Sequence, residues 1–310
     1  MQSEKKVLIL LGPTAVGKTE LAIRLAERVG GEIVSADSRL LYRGMDIGTA
    51  KPTPEDMARV PHHMIDLAEP DEIWSLALYQ QRLMETIREI QTRGNLPIIA
   101  GGTGQYIRSL MEGWVIPTVK PDVHLREVLE QWGREIGVED LHRKVALLDP
   151  AAAEKIDANN LRRSVRALEV IFSTGELFSK QKEKEAPDLE FKLIGLSRPR
   201  EELYARVDAR IEAMFSDGFV EEVQTLLERG YSADLPTLSA IGYREVIQYL
   251  KGDCSLEDAK VLMRRKTREF IRRQANWFKP DDPGIEWVTM TPDPLEQITR
   301  SVKVWYKGTE

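Results

Sequence analysis

The sequence predicts an α/β protein: a P-loop NTPase-like parallel sheet core, a helical insertion domain and a helix-rich C-terminal part. Three observations predict this architecture. The apolar run Val7–Leu11 leads directly into Gly-Pro-Thr-Ala-Val-Gly-Lys-Thr at residues 12–19. Short apolar runs then alternate with amphipathic segments up to about residue 112, as strands covered on both faces require. From about residue 113 to 187 the chain is rich in Glu, Arg and Ala at helical spacing.

The elements follow in order from these patterns. We predict strands at Val7–Leu11, Glu32–Ala36, Leu96–Ala100 and Phe191–Leu196, and helices at Lys18–Val29 and about Ser75–Arg93. From Arg200 onward the chain is mostly helical, with Gly218, Gly230 and Gly252 as expected caps. We therefore expect a catalytic core formed by residues 1–112 and 188–310, interrupted by a helical insertion at 113–187. Gly12, Asp37 and Gly101 follow strand ends, where parallel sheets bind their ligands, so they should converge on one cleft.

Composition limits the classes of function. The 310 residues carry a formal charge of −6 and are 30% charged, which is typical of a globular protein and gives no global affinity for nucleic acid. Any RNA site must therefore be a local basic patch. Cys254 is the only cysteine, which excludes an internal disulfide and a thiolate zinc cluster. No stretch is typical of a signal peptide or a membrane span, so we expect a cytoplasmic protein without a membrane partner. Nothing predicts an oligomer or an obligate protein partner.

The segment at 12–19 is the Gly-x-x-x-x-Gly-Lys-Thr phosphate loop. Its glycines let backbone N–H groups converge on one oxyanion, and the positive end of the following helix adds to the same point. Lys18 supplies a mobile cation, and the Thr19 hydroxyl is placed for Mg²⁺. The residues predicted to bind a polyphosphate or diphosphate are Gly12, Pro13, Thr14, Ala15, Val16, Gly17, Lys18 and Thr19.

Asp37 closes the second strand and faces the phosphate loop across the sheet edge. The carboxylate could be a general base, a magnesium ligand or only a turn-former. Phosphate-loop enzymes usually hold magnesium through an Asp after a second apolar strand. The strand Leu96–Ala100 runs instead into Gly101-Gly102-Thr103-Gly104, which contains no Asp. This glycine-rich turn is either an ordinary tight turn or a place where a bulky planar group passes close to the backbone.

Two further patterns are pairs of residues that share a type. Adjacent His62 and His63 cannot face one metal together, which favours a structural role. Arg206 and Arg210 share a helix face; they either clamp a leaving phosphate or pair with Glu202 or Asp208 on a solvated surface.

The segment 260–279 is locally basic. It contains Lys260, Arg264, Arg265, Lys266, Arg268, Arg272, Arg273 and Lys279 against the single acid Glu269, with Phe270, Trp277 and Phe278 interleaved. An RNA-binding face with stacking aromatics and a solvated helix with a buried aromatic stripe both fit this pattern.

Taken in order, several strings resemble the bacterial tRNA dimethylallyltransferases, also called tRNA isopentenyltransferases. The resemblance covers nearly the whole chain, and Met-Asp-Ile-Gly-Thr-Ala-Lys is its most specific part. The strings are the phosphate loop at 12–19, Ser-Ala-Asp-Ser (35–38), Tyr-Arg-Gly-Met-Asp-Ile-Gly-Thr-Ala-Lys-Pro (42–52), Val-Pro-His-His (60–63), Gly-Gly-Thr-Gly (101–104), Arg-Ala-Leu-Glu-Val (166–170), Asp-Leu-Pro (234–236), Ile-Gly-Tyr-Arg (241–244) and Arg-Gln-Ala-Asn-Trp-Phe (273–278).

The resemblance implies an activity that composition cannot show. Enzymes of this family transfer a dimethylallyl group from dimethylallyl diphosphate to N6 of the adenine just 3′ of the anticodon, in tRNAs that read codons starting with U. The phosphate loop would then hold the diphosphate of an isoprenoid, with Mg²⁺, and no γ-phosphoryl group would need a second Asp. The target base must be flipped out of its loop to reach a deep channel.

The resemblance also implies roles for residues. Asp37 matches the general base, Thr103 a channel residue near the reacting centre, and Arg210 the arginine that stabilises diphosphate together with Lys18 and magnesium. The insertion would grip the anticodon stem. The expected tRNA contacts are Asp37, Ser38, Arg39, Leu40, Arg162, Arg163, Ser164, Val165, Arg166, Ser239, Ala240, Ile241, Gly242, Tyr243, Arg244, Ile271, Arg272, Arg273, Gln274, Ala275, Asn276, Trp277 and Phe278.

Two residues depart from the family pattern. Leu40 stands where Gln is usual, so an amide that could contact an adenine edge is absent. Gln105 stands where an apolar residue usually follows the glycine turn. Neither departure touches Asp37, Lys18 or Arg210.

Three other functions compete with tRNA prenylation. A phosphate-loop kinase would consume ATP and would need a second carboxylate for magnesium. A prenyltransferase of free adenine nucleotides would have no use for the helical insertion. A tRNA-binding module with a relic phosphate loop would not need intact Lys18, Thr19 and Asp37.

Overall fold

Six parallel strands form one sheet that carries the phosphate loop near its centre. The computed structural model of the chain describes residues 5–115, 122–180 and 184–308. The strands are β1 (Lys6–Leu11), β2 (Gly31–Ser35), β3 (His62–His63), β4 (Leu96–Ala100), β5 (Glu190–Ser197) and β6 (Ile285–Thr289). Their order in the sheet is β3-β2-β4-β1-β5-β6, and every pairing is parallel. This confirms the predicted α/β fold with a parallel sheet.

Helices account for most of the rest of the described chain. They are α1 (Lys18–Val29), α2 (Pro54–Arg59), α3 (Leu76–Thr92), α4 (Gly104–Met111), α5 (Val123–Ile136), α6 (Val138–Leu148), α7 (Pro150–Ala153), α8 (Leu161–Thr174), α9 (Arg200–Ser216), α10 (Phe219–Glu228), α11 (Tyr243–Leu250), α12 (Leu256–Gln274) and α13 (Leu295–Lys307). In the described ranges, no helix has the length and apolar character needed to cross a membrane.

The centre of the sheet is fully apolar. Residues Val7 through Leu10 of β1 are completely buried, and Leu8 and Ile9 lie in register with Ile98 and Ile99 of β4. Burial on both faces explains why β1 and β4 are continuous apolar runs in the sequence. It also fixes the carboxyl ends of β1, β2 and β4 at one edge, so Gly12, Asp37 and Gly101 leave the sheet on the same side.

The chain divides into two compact units. One comprises Met1–Ser75, Tyr79–Arg108 and Asp188–Glu310 and contains the sheet; the other comprises Leu76–Leu78 and Ser109–Pro187. In the second unit, α5, α6 and α8 enclose a core that includes Leu129, Leu141, Val145 and Leu168. Capping residues define both ends of α8. The Asn160 side chain accepts a hydrogen bond from the Arg163 N–H at its start, and Gly175 ends the helix in a left-handed conformation.

Candidate active site

The phosphate loop connects β1 to α1 in an unusual backbone conformation. Gly12 and Gly17 have φ values of 149° and 107°, which disfavour residues that carry a Cβ. A Cβ on Gly12 would also lie 2.8 Å from the Leu196 carbonyl oxygen of β5. Gly17 precedes α1 and no side chain caps that helix, so its first N–H groups remain available to a ligand.

The Lys18 side chain bonds to its own loop. Its Nζ donates to the carbonyl oxygens of Gly12 and Pro13, both at 2.8 Å. Enclosure of the ammonium by protein lowers the pKa of Lys18 to about 8; the neighbouring Asp37 opposes this shift and Arg210 adds to it. A bound anion would reverse the shift, because it stabilises the charged form.

Two arginines donate hydrogen bonds to carbonyl oxygens of the phosphate loop. Arg206 Nε donates to the Ala15 carbonyl at 2.7 Å, and Arg198 Nε donates to the Val16 carbonyl at 2.9 Å. These bonds hold two loop carbonyls turned away from the loop interior, where N–H groups must point if an anion is to bind.

Arg210 lies beside the phosphate loop and lines the smaller of the cavities described below. Glu202 pairs with Arg198 and Asp208 pairs with Arg268, so the solvated-pair alternative for Arg206 and Arg210 does not occur. No described residue forms an ion pair with Arg210, and burial together with the nearby Arg206 lowers its pKa. Two adjacent guanidinium groups beside a phosphate loop form a site for a multiply charged anion.

Two cavities meet at Asp37. The smaller, of about 290 Å³, is lined by the charged groups Lys18, Glu20, Asp37, Asp56, Arg206 and Arg210, by Thr19 and by the loop backbone. The larger, of about 490 Å³, has a mainly apolar wall. That wall includes Val207, Ile211, Met214, Ala240, Ile241, Met263, Phe270 and Trp277. Thr14, Asp37, Thr49, Ala50, Gly102 and Arg210 line both cavities. An anion and an apolar or planar group could therefore bind side by side with a carboxylate between them.

The Asp37 carboxylate is held by one oxygen and leaves the other available. Oδ1 accepts from the Arg39 N–H at 2.9 Å, and no described residue donates to Oδ2. The turn-former interpretation is therefore correct for one oxygen. The second oxygen is free to accept a proton from a ligand at the junction of the cavities.

Thr103 supports the Asp37 turn from the neighbouring strand end. Its Oγ1 accepts from the Ser38 N–H at 3.3 Å, and its own N–H donates to the Ala36 carbonyl at 3.1 Å. The glycines around it allow close approach: a Cβ on Gly101 would lie 2.2 Å from the Ala36 oxygen, and one on Gly104 would lie 2.2 Å from the Trp277 ring. The planar group that passes close to this backbone is thus an indole of the protein itself.

Two charged side chains, Glu222 and Lys51, hold the family-specific block Met45–Lys51 in place. The Glu222 carboxylate accepts from the backbone N–H groups of Asp46, Ile47 and Gly48 at 2.6–3.1 Å and from the Tyr243 hydroxyl at 2.6 Å. Lys51, whose side chain is 4% exposed, pairs with Asp46 and Asp66. This holds Thr49 and Ala50 in the wall shared by the two cavities. Glu222 was not identified from the sequence, because its partners are backbone groups nearly 180 residues away.

The expected RNA-contacting stretches are only partly accessible. Ser38, Arg39, Ser239, Ala240, Ile241 and Arg273 line the larger cavity, and Leu40 lines the smaller one. Arg162, Arg163, Arg244, Arg272, Ala275 and Asn276 are exposed, while Arg166, Trp277 and Phe278 are partly buried. By contrast, Gly242, Tyr243, Ser164, Val165, Ile271 and Gln274 are buried.

Burial favours a packing or positioning role for these six residues. Ser164 and Val165 belong to the interior of the second unit, and Tyr243 bonds to Glu222. These residues lie inside the protein and not on its exposed faces, and Gln274 also lines the larger cavity. In the second unit the RNA-binding prediction is then left to Arg162, Arg163 and Arg166, of which Arg166 pairs with the buried Glu169.

Half of the basic segment on α12 is neutralised by acids from other helices. Lys260 and Arg264 pair with Glu212, Lys266 pairs with Glu245, and Arg268 pairs with Asp208. Within the ranges that the structure describes, Arg265, Arg272 and Arg273 have no ion pair. The solvated-helix interpretation therefore fits the start of α12, and the RNA-binding interpretation fits its end.

The remaining sequence patterns have simple outcomes. His62 Nδ1 donates to the Val60 carbonyl at 2.7 Å, and His63 Nε2 lies 2.6 Å from Glu32, so both histidines are structural. Gln105 is exposed and lines the larger cavity, which places an amide there even though Leu40 provides none.

A magnesium ion would find few protein ligands here. Thr19 and Asp37 line the same cavity. Across the described residues, no group of three or more His, Cys, Asp or Glu side chains could hold a metal. Mg²⁺ keeps several waters and commonly binds through one or two carboxylates together with substrate phosphates. These donors therefore fit an ion that is bound largely by a diphosphate.

Comparison with known proteins agrees with this geometry. The family model described as IPP transferase matches residues 40–281. The curated tRNA dimethylallyltransferase of Roseiflexus sp. (strain RS-1) is 49% identical over 96% of this chain and 98% of its own length. The curated protein of the same name from Geobacter sulfurreducens is 48% identical, with 92% of each chain covered.

Solved structures extend the similarity to the fold. A full-length tRNA isopentenylpyrophosphate transferase from Bacillus halodurans has a TM-score of 0.72 at 37% identity, covering 98% of this chain and 97% of that one. A eukaryotic dimethylallyltransferase acting on tRNA has a TM-score of 0.81 at 27% identity, covering 98% and 79% respectively. Since the family model spans most of the chain and the curated relatives cover 92–96% of it, this protein belongs to the IPP transferase family.

Proposed function

We propose that this protein transfers a dimethylallyl group from dimethylallyl diphosphate to N6 of an adenine in tRNA, releasing diphosphate. The target is the adenine 3′-adjacent to the anticodon in tRNAs that read codons starting with U. The observation that carries the proposal is the junction of the two cavities. A carboxylate with one free oxygen stands there between an anion site and an apolar pocket.

The reaction forms a carbon–nitrogen bond and breaks a carbon–oxygen bond, and it transfers one proton. The N6 nitrogen attacks the allylic carbon, the bond from that carbon to the diphosphate oxygen breaks, and the oxygen leaves with the electron pair. The proton lost by N6 passes to Asp37, since an accepting carboxylate at the reacting nitrogen is what general base catalysis requires. The products are the prenylated adenine, diphosphate and one proton.

The leaving group is stabilised by groups that are already in place. Five residues of the phosphate loop and the Arg210 guanidinium line the smaller cavity, and Lys18 needs only to release two carbonyls to reach an anion there. Preorganised cations and N–H dipoles of this kind favour a transition state in which negative charge develops on the departing oxygen. Mg²⁺ held by the Thr19 hydroxyl and diphosphate oxygens would neutralise part of that charge.

The larger cavity is suited to the acceptor base. Its apolar wall would receive an adenine flipped out of the anticodon loop, at a cost of about a few kcal/mol for unstacking. Arg39 and Arg273 at its rim would meet the RNA backbone. Arg162 and Arg163, two exposed arginines at the start of α8 in the helical insertion, would grip the anticodon stem.

Replacement of the proposed base tests the assignment. We expect Asp37→Asn to lower kcat for prenylation of an anticodon stem-loop by about two to four orders of magnitude. The KM for dimethylallyl diphosphate should change little. Ser38→Ala is the matched control, since its side chain supplies no proton acceptor of comparable strength. Near-normal turnover of Asp37→Asn would remove Asp37 from the mechanism.

A further inference from the structure

Gln274 is the last residue of α12, and its side chain is turned inward between two loops of the active site. It is 9% exposed, whereas its neighbours Arg272, Arg273 and Ala275 are all exposed. A buried amide must find partners for both its oxygen and its nitrogen, or burial costs stability. The partners of Gln274 therefore define what it does.

Both ends of this amide bind backbone groups of the site. Oε1 accepts from the Thr14 N–H of the phosphate loop at 2.8 Å, and Nε2 donates to the Gly102 carbonyl at 3.1 Å. An amide is the uncharged side chain that offers a donor and an acceptor at this separation. Thr14 and Gly102 line both cavities and Gln274 lines the larger one, so the bridge lies where the anion site adjoins the apolar pocket.

The bridge also reaches the proposed base. Gly102 precedes Thr103, whose hydroxyl accepts from the Ser38 N–H next to Asp37. The chain of contacts therefore runs from the phosphate loop, through Gln274 and the glycine turn, to the Asp37 turn. A side chain in this position sets the distance between the group that holds diphosphate and the group that accepts the proton.

We propose that Gln274 is a positioning residue that fixes the phosphate loop relative to the Asp37 turn, and not a residue that contacts RNA. The inference rests on the proposed function. Each end of the amide bonds to protein backbone, and these two bonds hold the side chain in the interior, away from the exposed face that carries Arg272 and Arg273. Arg108 holds the residues that follow, donating from Nη2 to the Trp277 carbonyl at 2.7 Å, which keeps the end of α12 against the glycine turn.

The two roles predict opposite kinetics. Gln274→Met keeps the length of the side chain and removes both hydrogen bonds. Because small errors in placing reacting groups are costly, we expect kcat to fall about 10- to 100-fold and the KM for dimethylallyl diphosphate to rise. The dissociation constant for an anticodon stem-loop should stay within about twofold. Arg272→Gln, two residues earlier on the exposed face, should instead weaken binding of the stem-loop, an effect that Gln274→Met should not show.

A second variant gives a signature that loss of stability cannot imitate. In Gln274→Glu the carboxylate still accepts from Thr14 but repels the Gly102 oxygen, while the protonated acid can donate to it. Burial raises the pKa of such a carboxyl. The activity of this variant relative to wild type, measured at each pH, should therefore increase as the pH falls from 8 towards 6.

The outcomes separate the two proposals. Wild-type enzyme that prenylates the stem-loop, together with a Gln274→Met variant of normal kcat or of weakened RNA affinity alone, overturns the positioning role. A pH-independent ratio for Gln274→Glu does the same, even if Gln274→Met does not fold. Wild-type enzyme that never prenylates RNA overturns the proposed function instead.

Discussion

Lys18 is the residue whose charge depends most directly on what occupies the site. In the free protein it donates to Gly12 and Pro13, and burial lowers its pKa to about 8. Diphosphate favours the charged ammonium, so binding above pH 8 must take up a proton. The KM for dimethylallyl diphosphate should therefore be flat below pH 8 and rise above it, approaching about tenfold per pH unit.

Steady-state kinetics from pH 6.5 to 9.5 tests this expectation. Lys18→Arg is the control, because a guanidinium stays protonated throughout this range and should abolish the rise even if it lowers activity. A KM that is independent of pH in wild type would mean that Lys18 does not bind the diphosphate as an ammonium.

At the scale of single residues, motif positions could be predicted but partners could not. The sequence identified Lys18, Asp37 and Arg210 because each follows from a motif or a family match. It placed Gln274 among RNA contacts, because the family resemblance carries over residues 271–278 as one block. Which face of α12 turns inward depends on Thr14 and Gly102, which lie about 260 and 172 residues away. Arg273 is exposed, whereas the next residue, Gln274, is buried.

At the scale of elements, α12 divides into a neutralised start and a free basic end. Arg264 is held by Glu212 and Glu257, whereas Arg272 and Arg273 have no acidic partner among the described residues. We expect the double variant Arg272→Gln/Arg273→Gln to reduce the slope of log affinity for an anticodon stem-loop against log salt by about one to two units. Each phosphate contact contributes about 0.7–0.9 to that slope.

Binding measured by fluorescence anisotropy between 50 and 300 mM salt provides the slope. Arg264→Gln is the matched control on the same helix; it should affect stability and leave the slope unchanged. A double variant with the wild-type slope would assign the end of α12 to a solvated face without RNA.

Element existence was largely predictable, and the exceptions have a physical cause. Strands β1 and β4 are continuous apolar runs because both of their faces are buried, whereas β2 and β5 contain the shorter apolar stretches Ile33-Val34 and Leu193-Ile194. These runs make all four strands visible in the sequence. The edge strands β3 and β6 were not predicted. The first has two residues, and the second, Ile285–Thr289, has only two buried positions and follows a Pro- and Asp-rich turn. The ion pairs of α12 were also invisible, because their acids lie on α9 and α11.

At the scale of the whole molecule, one charged network ties the far end of the sheet together. Glu32, whose side chain is 4% exposed, accepts from Arg93 and Asn95 and contacts His63. Burial opposes ionisation of this carboxyl, but the hydrogen bonds prevail and lower the pKa of Glu32 from 4.5 to about 2. The network therefore contributes stability above pH 4.5 and loses it as the pH falls from 4.5 to 2.

The variant Glu32→Gln should reveal how much the Glu32 network contributes to the free energy of unfolding. At pH 7 we expect the free energy of unfolding, measured with urea, to fall by about 1–3 kcal/mol, as is usual when a buried charged network is broken. The difference between variant and wild type should shrink below pH 4.5, and prenylation by the folded variant should be unaffected. A difference that is constant from pH 7 to 3 would show that the Glu32 carboxylate is not preferentially ionised in the folded state.

The fold alone leaves the chemistry open, because parallel sheets with phosphate loops also serve kinases. What favours prenyl transfer is the arrangement at the edge of the sheet, where an anion site suited to diphosphate adjoins an apolar pocket suited to the acceptor base. The decisive measurement supplies an anticodon stem-loop with dimethylallyl diphosphate or with ATP, and follows diphosphate release alongside the mass of the RNA. We expect one diphosphate released for each dimethylallyl group gained by the adenine, and no reaction with ATP. Transfer or hydrolysis of a terminal phosphoryl group, without prenylated RNA, would contradict the proposed function.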